Sequence, residues 1–101
     1  MNKRLDPILP GDILHEEFME PLGISQNKLA RDIDVPVGRI NDVIRGKRAI
    51  TTDTALRLSV YFGTTPEFWL NLQNHYNLKV ARNTLLPAIQ RQVRPIERPS
   101  A

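Results

Sequence analysis

Apolar residues recur along this chain every three or four positions, which is the spacing of amphipathic helices and differs from the alternation typical of β-strands. Proline, glycine and capping residues separate five such stretches, expected near residues 10–21, 25–33, 36–45, 52–62 and 66–78. Beyond Leu78 the pattern weakens, and Pro87 is expected to begin only a short amphipathic turn. The pattern predicts an all-α fold with five helices around a single core.

The second and third stretches have the layout of a helix-turn-helix. Ser25 can accept a hydrogen bond from the free amides at the start of the first of these two helices. Ala30 supplies a small side chain where the two helices would cross. Pro36 suits the first turn of the next helix, because its missing N–H is not needed there. Asp34 stands in the turn where many such motifs have glycine, so we expect a strained left-handed backbone at that residue.

The helix that follows the turn has one apolar side, formed by Ile40, Val43 and Ile44, and an opposite side with no core to join. Such a side is free to enter the major groove of DNA. Asn41 can pair with adenine and Arg39 with guanine, while a valine can contact a thymine methyl group. We expect the base contacts to come from Val37, Gly38, Arg39, Asn41 and Asp42.

Two of these assignments have alternatives. Asp42 precedes Arg45 by three residues on the same helix and can pair with it instead of accepting from a cytosine amine. Arg39 lies at the edge of the outward side, where a phosphate contact competes with a base contact.

Charge is distributed unevenly along the 101 residues, whose formal net charge is +3. Residues 24–50 carry six basic and three acidic side chains, whereas residues 1–23 have an acidic excess. Basic groups beside an open helix are suited to DNA phosphates, and a glutamine at a helix start adds an amide donor. We expect phosphate contacts from Gln26, Lys28, Arg45, Lys47 and Arg48.

Length and composition limit the other possibilities. A chain of this length forms one domain, which we place at residues 10–82 between an arm at 1–9 and a basic, partly flexible extension at 83–101. It has no cysteine and no apolar run of membrane-spanning length, which favours a soluble cytoplasmic protein without a membrane partner. His15 and His75 have no companion ligands at metal-site spacing, and no catalytic constellation stands out. We expect no metal, no cofactor and no enzyme activity.

Several motifs together resemble the HigA (VapI) group of antitoxins. They are the segments PGDIL at 10–14, EFMEPLG at 17–23, SQ at 25–26, RIN at 39–41, GKR at 46–48, TALRL at 54–58 and PEFWLNLQ at 66–73. The resemblance covers residues 10–82, and its FWLNLQ string is more specific than the helix-turn-helix. It implies a lambda-repressor-like domain that forms homodimers, binds a palindromic operator in double-stranded DNA before its own operon, and neutralises a HigB-like, mRNA-cleaving toxin.

The homodimer needs a seam, which we place on the fifth helix and the segment after it, because the apolar side there looks larger than one small core can absorb. The expected seam residues are Trp69, Leu72, Tyr76, Leu78 and Val80. A tryptophan at this position is more typical of a core, unless it closes the interface.

The toxin site is expected on the first helix, because an acidic helix complements the basic surface that a ribonuclease needs to hold RNA. The expected residues are Glu16, Glu17 and Glu20, which alternatively only keep that helix solvated. Two other functions stay open: a solitary regulator without a toxin, and an adaptor that binds proteins but not DNA. The basic side chains beside the open helix disfavour the adaptor.

Overall fold

The computed structural model describes residues 7–98 and confirms the all-α prediction. Its first helix consists of α1 (Pro10–Ile13), a π-helical segment (Leu14–Met19) and α2 (Glu20–Leu22). The remaining helices are α3 (Gln26–Ile33), α4 (Val37–Ile44), α5 (Thr52–Phe62), α6 (Pro66–Thr84) and α7 (Leu86–Gln92). Residues 1–6 of the expected arm and 99–101 of the expected extension lie outside the described residues.

Hydroxyl caps begin three of these helices as the sequence predicts. Ser25, Thr51 and Thr65 each accept a hydrogen bond from the backbone N–H three residues further on, at 3.1, 3.4 and 3.1 Å. Each bond satisfies an amide that has no partner within its own helix. Gly63 then ends α5 in the left-handed conformation, with φ 76°.

The first helix contains a π-helical segment that the apolar pattern does not predict. The N–H of Glu20 reaches the carbonyl of His15, five residues back. Pro21 follows directly, and a proline has no N–H and disfavours a regular helical turn before it. The helix therefore widens just before Pro21 and ends at Leu22, close to where the sequence predicts.

Helix α6 is longer than the sequence predicts. It continues past Leu78 and past the expected domain boundary at residue 82, ending at Thr84. No proline or glycine interrupts residues 67–84, so nothing local ends the helix there. Helix α7 follows after Leu85, where only a short amphipathic turn is expected from the sequence.

Trp69 lies at the centre of the core with no exposed surface, and its indole N–H donates to the hydroxyl of Thr64 at 2.7 Å. The ring of Phe18, from the first helix, stands 4.9 Å from it between centroids, and that of Phe62, from α5, stands 6.2 Å away. The other buried apolar residues come from the first helix, α3, α4, α5 and the loop before α5: Leu14, Met19, Leu29, Ala30, Ile33, Ile40, Val43, Ile50, Ala55 and Leu58. This core therefore fixes α3 and α4 relative to each other and to the first helix and α5.

Candidate nucleic-acid interface

The turn between α3 and α4 adopts the conformation expected from the sequence. Asp34 has φ 61°, the left-handed conformation that is costly for a residue with a side chain. The N–H of Val35 then donates to the carbonyl of Ala30 at 3.0 Å, which closes the turn. Pro36 caps α4 rather than lying inside it, so α4 begins one residue later than predicted.

In its first two turns, helix α4 has one side that faces outward. Val37 is 44% exposed, and a Cβ added at Gly38 would meet nothing within 4 Å. On the other side of the helix, Ile40 and Val43 are buried. The five residues expected to contact bases therefore share one short helix, although Arg39, Asn41 and Asp42 are only half-exposed.

A side-chain hydrogen bond connects the two helices of the motif. The Asn41 side-chain nitrogen donates to the Gln26 side-chain oxygen at 3.3 Å. Gln26 is the first residue of α3, where free N–H groups and the positive end of the helix favour an anion. One expected phosphate contact and one expected base contact are therefore linked in the structure.

Arg39 is held by a residue on another helix. Its Nη1 lies 3.1 Å from Oδ2 of Asp53, in the first turn of α5. The same oxygen accepts from Nε of Arg57 at 2.9 Å. The hydrogen bond and the charge of Arg57, together with Arg39, hold the pKa of the Asp53 carboxyl below its usual value of 3.8.

The basic residues expected to contact phosphate occupy two different settings. Arg45, Lys47 and Arg48 are exposed at the end of α4, and within residues 7–98 no carboxylate lies within 4 Å of their charged groups. The expected alternative, a pair between Asp42 and Arg45, is thus not formed. Lys28 instead pairs with Asp32 at 2.9 Å within α3.

A buried glutamine on α6 holds the end of the loop that follows α4. Gln73, on α6, accepts a hydrogen bond from the N–H of Ile50 at 2.8 Å and donates one to Asn77 at 3.0 Å. At the start of the loop, Gly46 has φ 77°, and the N–H groups of Lys47 and Arg48 both point to the Asp42 carbonyl. The backbone that carries the basic side chains is therefore positioned by α6 and by α4.

Comparison with known proteins places this arrangement in a family. The helix-turn-helix family model matches residues 16–69. Virulence-associated protein I of Dichelobacter nodosus is 50% identical over 74 residues, which are 73% of this chain and 68% of that protein. A solved HigA-family addiction module antidote protein from Coxiella burnetii shares 46% identity with a TM-score of 0.84, over 90% of this chain and 99% of that one.

This chain belongs to the HigA family of helix-turn-helix proteins. Antitoxin HigA of Pseudomonas aeruginosa, solved with the higBA promoter, superposes with a TM-score of 0.86 at 40% identity, over 90% of this chain and 99% of that one. The HigA family is not an enzyme family, and its fold is the lambda-repressor-like one that the sequence predicts.

In this HigA-family chain the structure corrects one expected seam residue. Trp69 is fully buried within the protomer, so it belongs to the core and has no surface to offer a second copy. Leu78 is 44% exposed, and Leu72, Tyr76 and Val80 are half-buried. Five further apolar side chains are exposed in α7 and in the residues on either side of it: Leu85, Leu86, Ile89, Val93 and Ile96.

The glutamates expected to bind a toxin are all exposed. Glu16 and Glu17 lie in the π-helical segment, and Glu20 begins α2 with His15 4.0 Å away. Within the part of the chain that the structure describes, no helix is both long and apolar enough to cross a membrane.

Four residues that position the interface were not predicted as site residues: Gly11, Asp53, Arg57 and Gln73. Gly11, Arg57 and Gln73 occur in the family motifs, and Asp53 follows the helix cap Thr51. The sequence therefore draws attention to these residues but does not indicate what each one does. Gly11 lets α1 lie against the end of α4, since an added Cβ would lie within 2.7 Å of the Ile44 backbone. Arg57 donates to the carbonyls of Ile33 at 2.9 Å and Asp34 at 3.3 Å, which end α3.

Proposed function

We propose that this protein is a homodimeric DNA-binding repressor that also serves as the antitoxin of a HigB-like toxin. The observation that carries the DNA-binding role is the outward first half of α4, which ends in a loop with three exposed cations. The HigA-family relative solved with the higBA promoter supports the same role. A repressor acts where the chromosome lies, so we place the protein in the cytoplasm.

Two copies are needed because one α4 reads a single half-site. With twofold symmetry, two such helices meet successive major grooves, and half-site centres lie about 34 Å apart. In this arrangement Val37, Gly38, Arg39, Asn41 and Asp42 face bases, while Gln26, Arg45, Lys47 and Arg48 face phosphates. Lys28 contacts a phosphate only if its ion pair with Asp32 breaks when DNA binds.

A mobility-shift titration across a salt series tests this function. The DNA is the region upstream of the chain's own gene, compared with a shuffled duplex of the same composition. We expect Asn41→Ala to weaken operator binding by roughly 1–3 kcal/mol and to relax preference at one base pair. Lys47→Ala is the matched control, because losing a phosphate contact weakens both duplexes alike and flattens the salt dependence. Equal binding of both duplexes by the wild-type protein would contradict sequence-specific repression and leave only non-specific DNA binding. Binding of neither duplex would favour the adaptor.

The antitoxin role is supported by the exposed glutamates of the first helix. A toxin that cleaves mRNA needs a basic surface, and acidic side chains speed its association by electrostatic steering. The double variant Glu16→Lys/Glu20→Lys should slow association with the toxin encoded beside this gene, mostly at low salt, while operator binding stays intact. Glu97→Lys is the control, since it reverses an exposed charge in the extension.

Unchanged association of the double variant would contradict a toxin site on the first helix. A slower association of the control alone would move the contact to the extension. The absence of any adjacent toxin gene would favour the solitary regulator instead.

A further inference from the structure

Asp53 is an acidic residue that lies beside the expected DNA-binding helix α4. It lies on α5, yet its carboxylate lies against Arg39 in the first turn of the outward helix α4, with Nη1 to Oδ2 at 3.1 Å. A negative charge near the DNA surface repels phosphates and weakens sequence-independent binding. A role for Asp53 in affinity alone is therefore hard to support, and its geometry suggests a different one.

The carboxylate of Asp53 also accepts a hydrogen bond from a second arginine. Arg57, one turn further along α5, donates from Nε to the same Oδ2 at 2.9 Å. The Nη1 of Arg57 also donates to the carbonyl of Ile33, at the end of α3, at 2.9 Å. Arg57 therefore connects Asp53 to the end of α3, and the same Asp53 carboxylate contacts Arg39 on α4.

Arg39 keeps donors available while it contacts Asp53. A guanidinium group carries five N–H donors in a rigid plane, and the structure assigns one of its nitrogens, Nη1, to Asp53. The group is 30% exposed, and its neighbours Val37 and Gly38 face outward. A guanine offers two acceptors, O6 and N7, which suit a bidentate contact from an arginine whose plane is fixed.

We propose that Asp53, supported by Arg57, is a positioning residue that orients Arg39 for a guanine contact and thereby sets operator specificity. The inference rests on the proposed DNA-binding function. Asp53 then raises discrimination in two ways: it lowers the entropy that Arg39 loses on binding the correct base, and its charge disfavours duplexes in which Arg39 contacts only phosphate.

The test is Asp53→Ala, measured against operator and shuffled duplex at one salt concentration. We expect operator affinity to fall and shuffled-duplex affinity to rise, so that their ratio drops by roughly fivefold or more. The lost preference should fall on the same base pair as in Arg39→Ala, and the double variant should lose no more preference there than Arg39→Ala alone. Asp53→Asn, which keeps an oxygen acceptor, should restore part of the preference.

Glu67→Ala is the matched control, because it removes an exposed acid from the first turn of α6, away from Arg39 in the sequence. It should leave the ratio of operator to shuffled affinity unchanged. If Asp53→Ala raises both affinities together, the residue acts by charge alone and the proposal is overturned. If it lowers both equally at unchanged base preference, its role is structural and the proposal is overturned as well.

The two proposals fail in distinguishable ways. A wild-type protein that binds both duplexes equally overturns sequence-specific DNA binding, and this inference with it. A wild-type protein that prefers its operator, beside an Asp53→Ala variant with the same preference, overturns the role of Asp53 alone.

Discussion

At the scale of single residues, two glycines have opposite relations to the outward helix. Gly11 lies under the end of α4, where an added Cβ would collide with the Val43 carbonyl and the Ile44 backbone. Gly38 lies within α4 on its outward side, where an added Cβ would meet nothing within 4 Å. Substitution by alanine at these two sites therefore distinguishes an effect on packing, at Gly11, from an effect on the approach of α4 to DNA, at Gly38.

We expect Gly11→Ala to lower the free energy of unfolding by about 1–3 kcal/mol, since neighbouring backbone must shift. We expect Gly38→Ala to raise it by up to ~1 kcal/mol, because alanine is the better helix former. Operator binding should nevertheless weaken in Gly38→Ala, where a methyl group separates the helix from DNA. Thermal unfolding and a mobility shift measure both effects, and an undiminished operator affinity of Gly38→Ala would remove Gly38 from the contact surface.

Asp32 makes folding stability depend on pH. Its carboxylate accepts from the Tyr61 hydroxyl at 2.7 Å and from Lys28 at 2.9 Å, and these bonds, that from Tyr61 foremost, hold its pKa below the usual 3.8. The folded state thus binds this proton less readily than the unfolded chain. The stabilisation is present above pH 3.8 and is lost as pH falls through the lower pKa of the folded state.

We therefore expect the unfolding temperature of Asp32→Asn to fall less steeply on acidification than that of the wild type. Thermal scans from about pH 7 to about pH 2.5 measure the two slopes. Glu97→Gln, which changes an exposed carboxyl in the extension, is the control. Parallel curves for Asp32→Asn and wild type would mean that the link between α3 and α5 does not contribute.

At the scale of elements, α6 supports the loop that carries Lys47 and Arg48. The contact is specific: a buried amide oxygen of Gln73 accepts the N–H of Ile50 at 2.8 Å, and Ile50 itself is 2% exposed. A buried N–H without a partner costs about 1–3 kcal/mol. Helix α6 and the loop are therefore connected through the side chain of Gln73.

We expect Gln73→Leu, which keeps the volume and removes the acceptor, to lower stability by about that amount and to speed hydrogen exchange of the Ile50 amide. It should also weaken operator binding, because the basic loop loses its position. Asn77→Ala is the control, since it removes only the outer partner of Gln73 and leaves the bond to Ile50. Unchanged exchange at Ile50 in Gln73→Leu would show that the loop holds its position without α6.

At the scale of the whole molecule, the exposed apolar side chains of α6 and α7 define the surface on which we place the dimer seam. Leu78, Leu85, Leu86 and Ile89 are 44%, 57%, 37% and 43% exposed. An apolar group of this extent on a small domain is typical of an interaction surface. Trp69 is excluded from it by burial, which moves the seam toward the end of α6.

We expect Leu78→Asp to shift the protein toward monomer in sedimentation equilibrium at micromolar concentration while its helical signal persists. Val60→Asp is the matched control, because Val60 is an 85% exposed apolar residue on α5. If only Val60→Asp dissociates the dimer, the dimer interface lies on α5 instead. Leu78→Asp should also reduce operator binding, since an unpaired protomer contacts one half-site.

Local chemistry explains which features were predictable. The hydroxyls of Ser25, Thr51 and Thr65 cap the N–H three residues away, and Gly63 ends a helix by its own backbone freedom. The apolar side of α4 needs only a spacing of three and four residues. Such features depend on neighbours in the chain, so the sequence by itself determined the helix-turn-helix, its outward face, the fold class and the family.

Tertiary structure alone decided the partners of those features. Arg39 and Asp53 are separated by 14 residues, Ile50 and Gln73 by 23, and Arg57 and Ile33 by 24. The apolar pattern placed Trp69 and Leu78 in the same expected seam, yet Trp69 is buried against Phe18 and Phe62 whereas Leu78 is exposed. A residue pattern specifies which side of a helix is apolar, but how much of that side is covered depends on where the other helices lie, which only the folded chain determines.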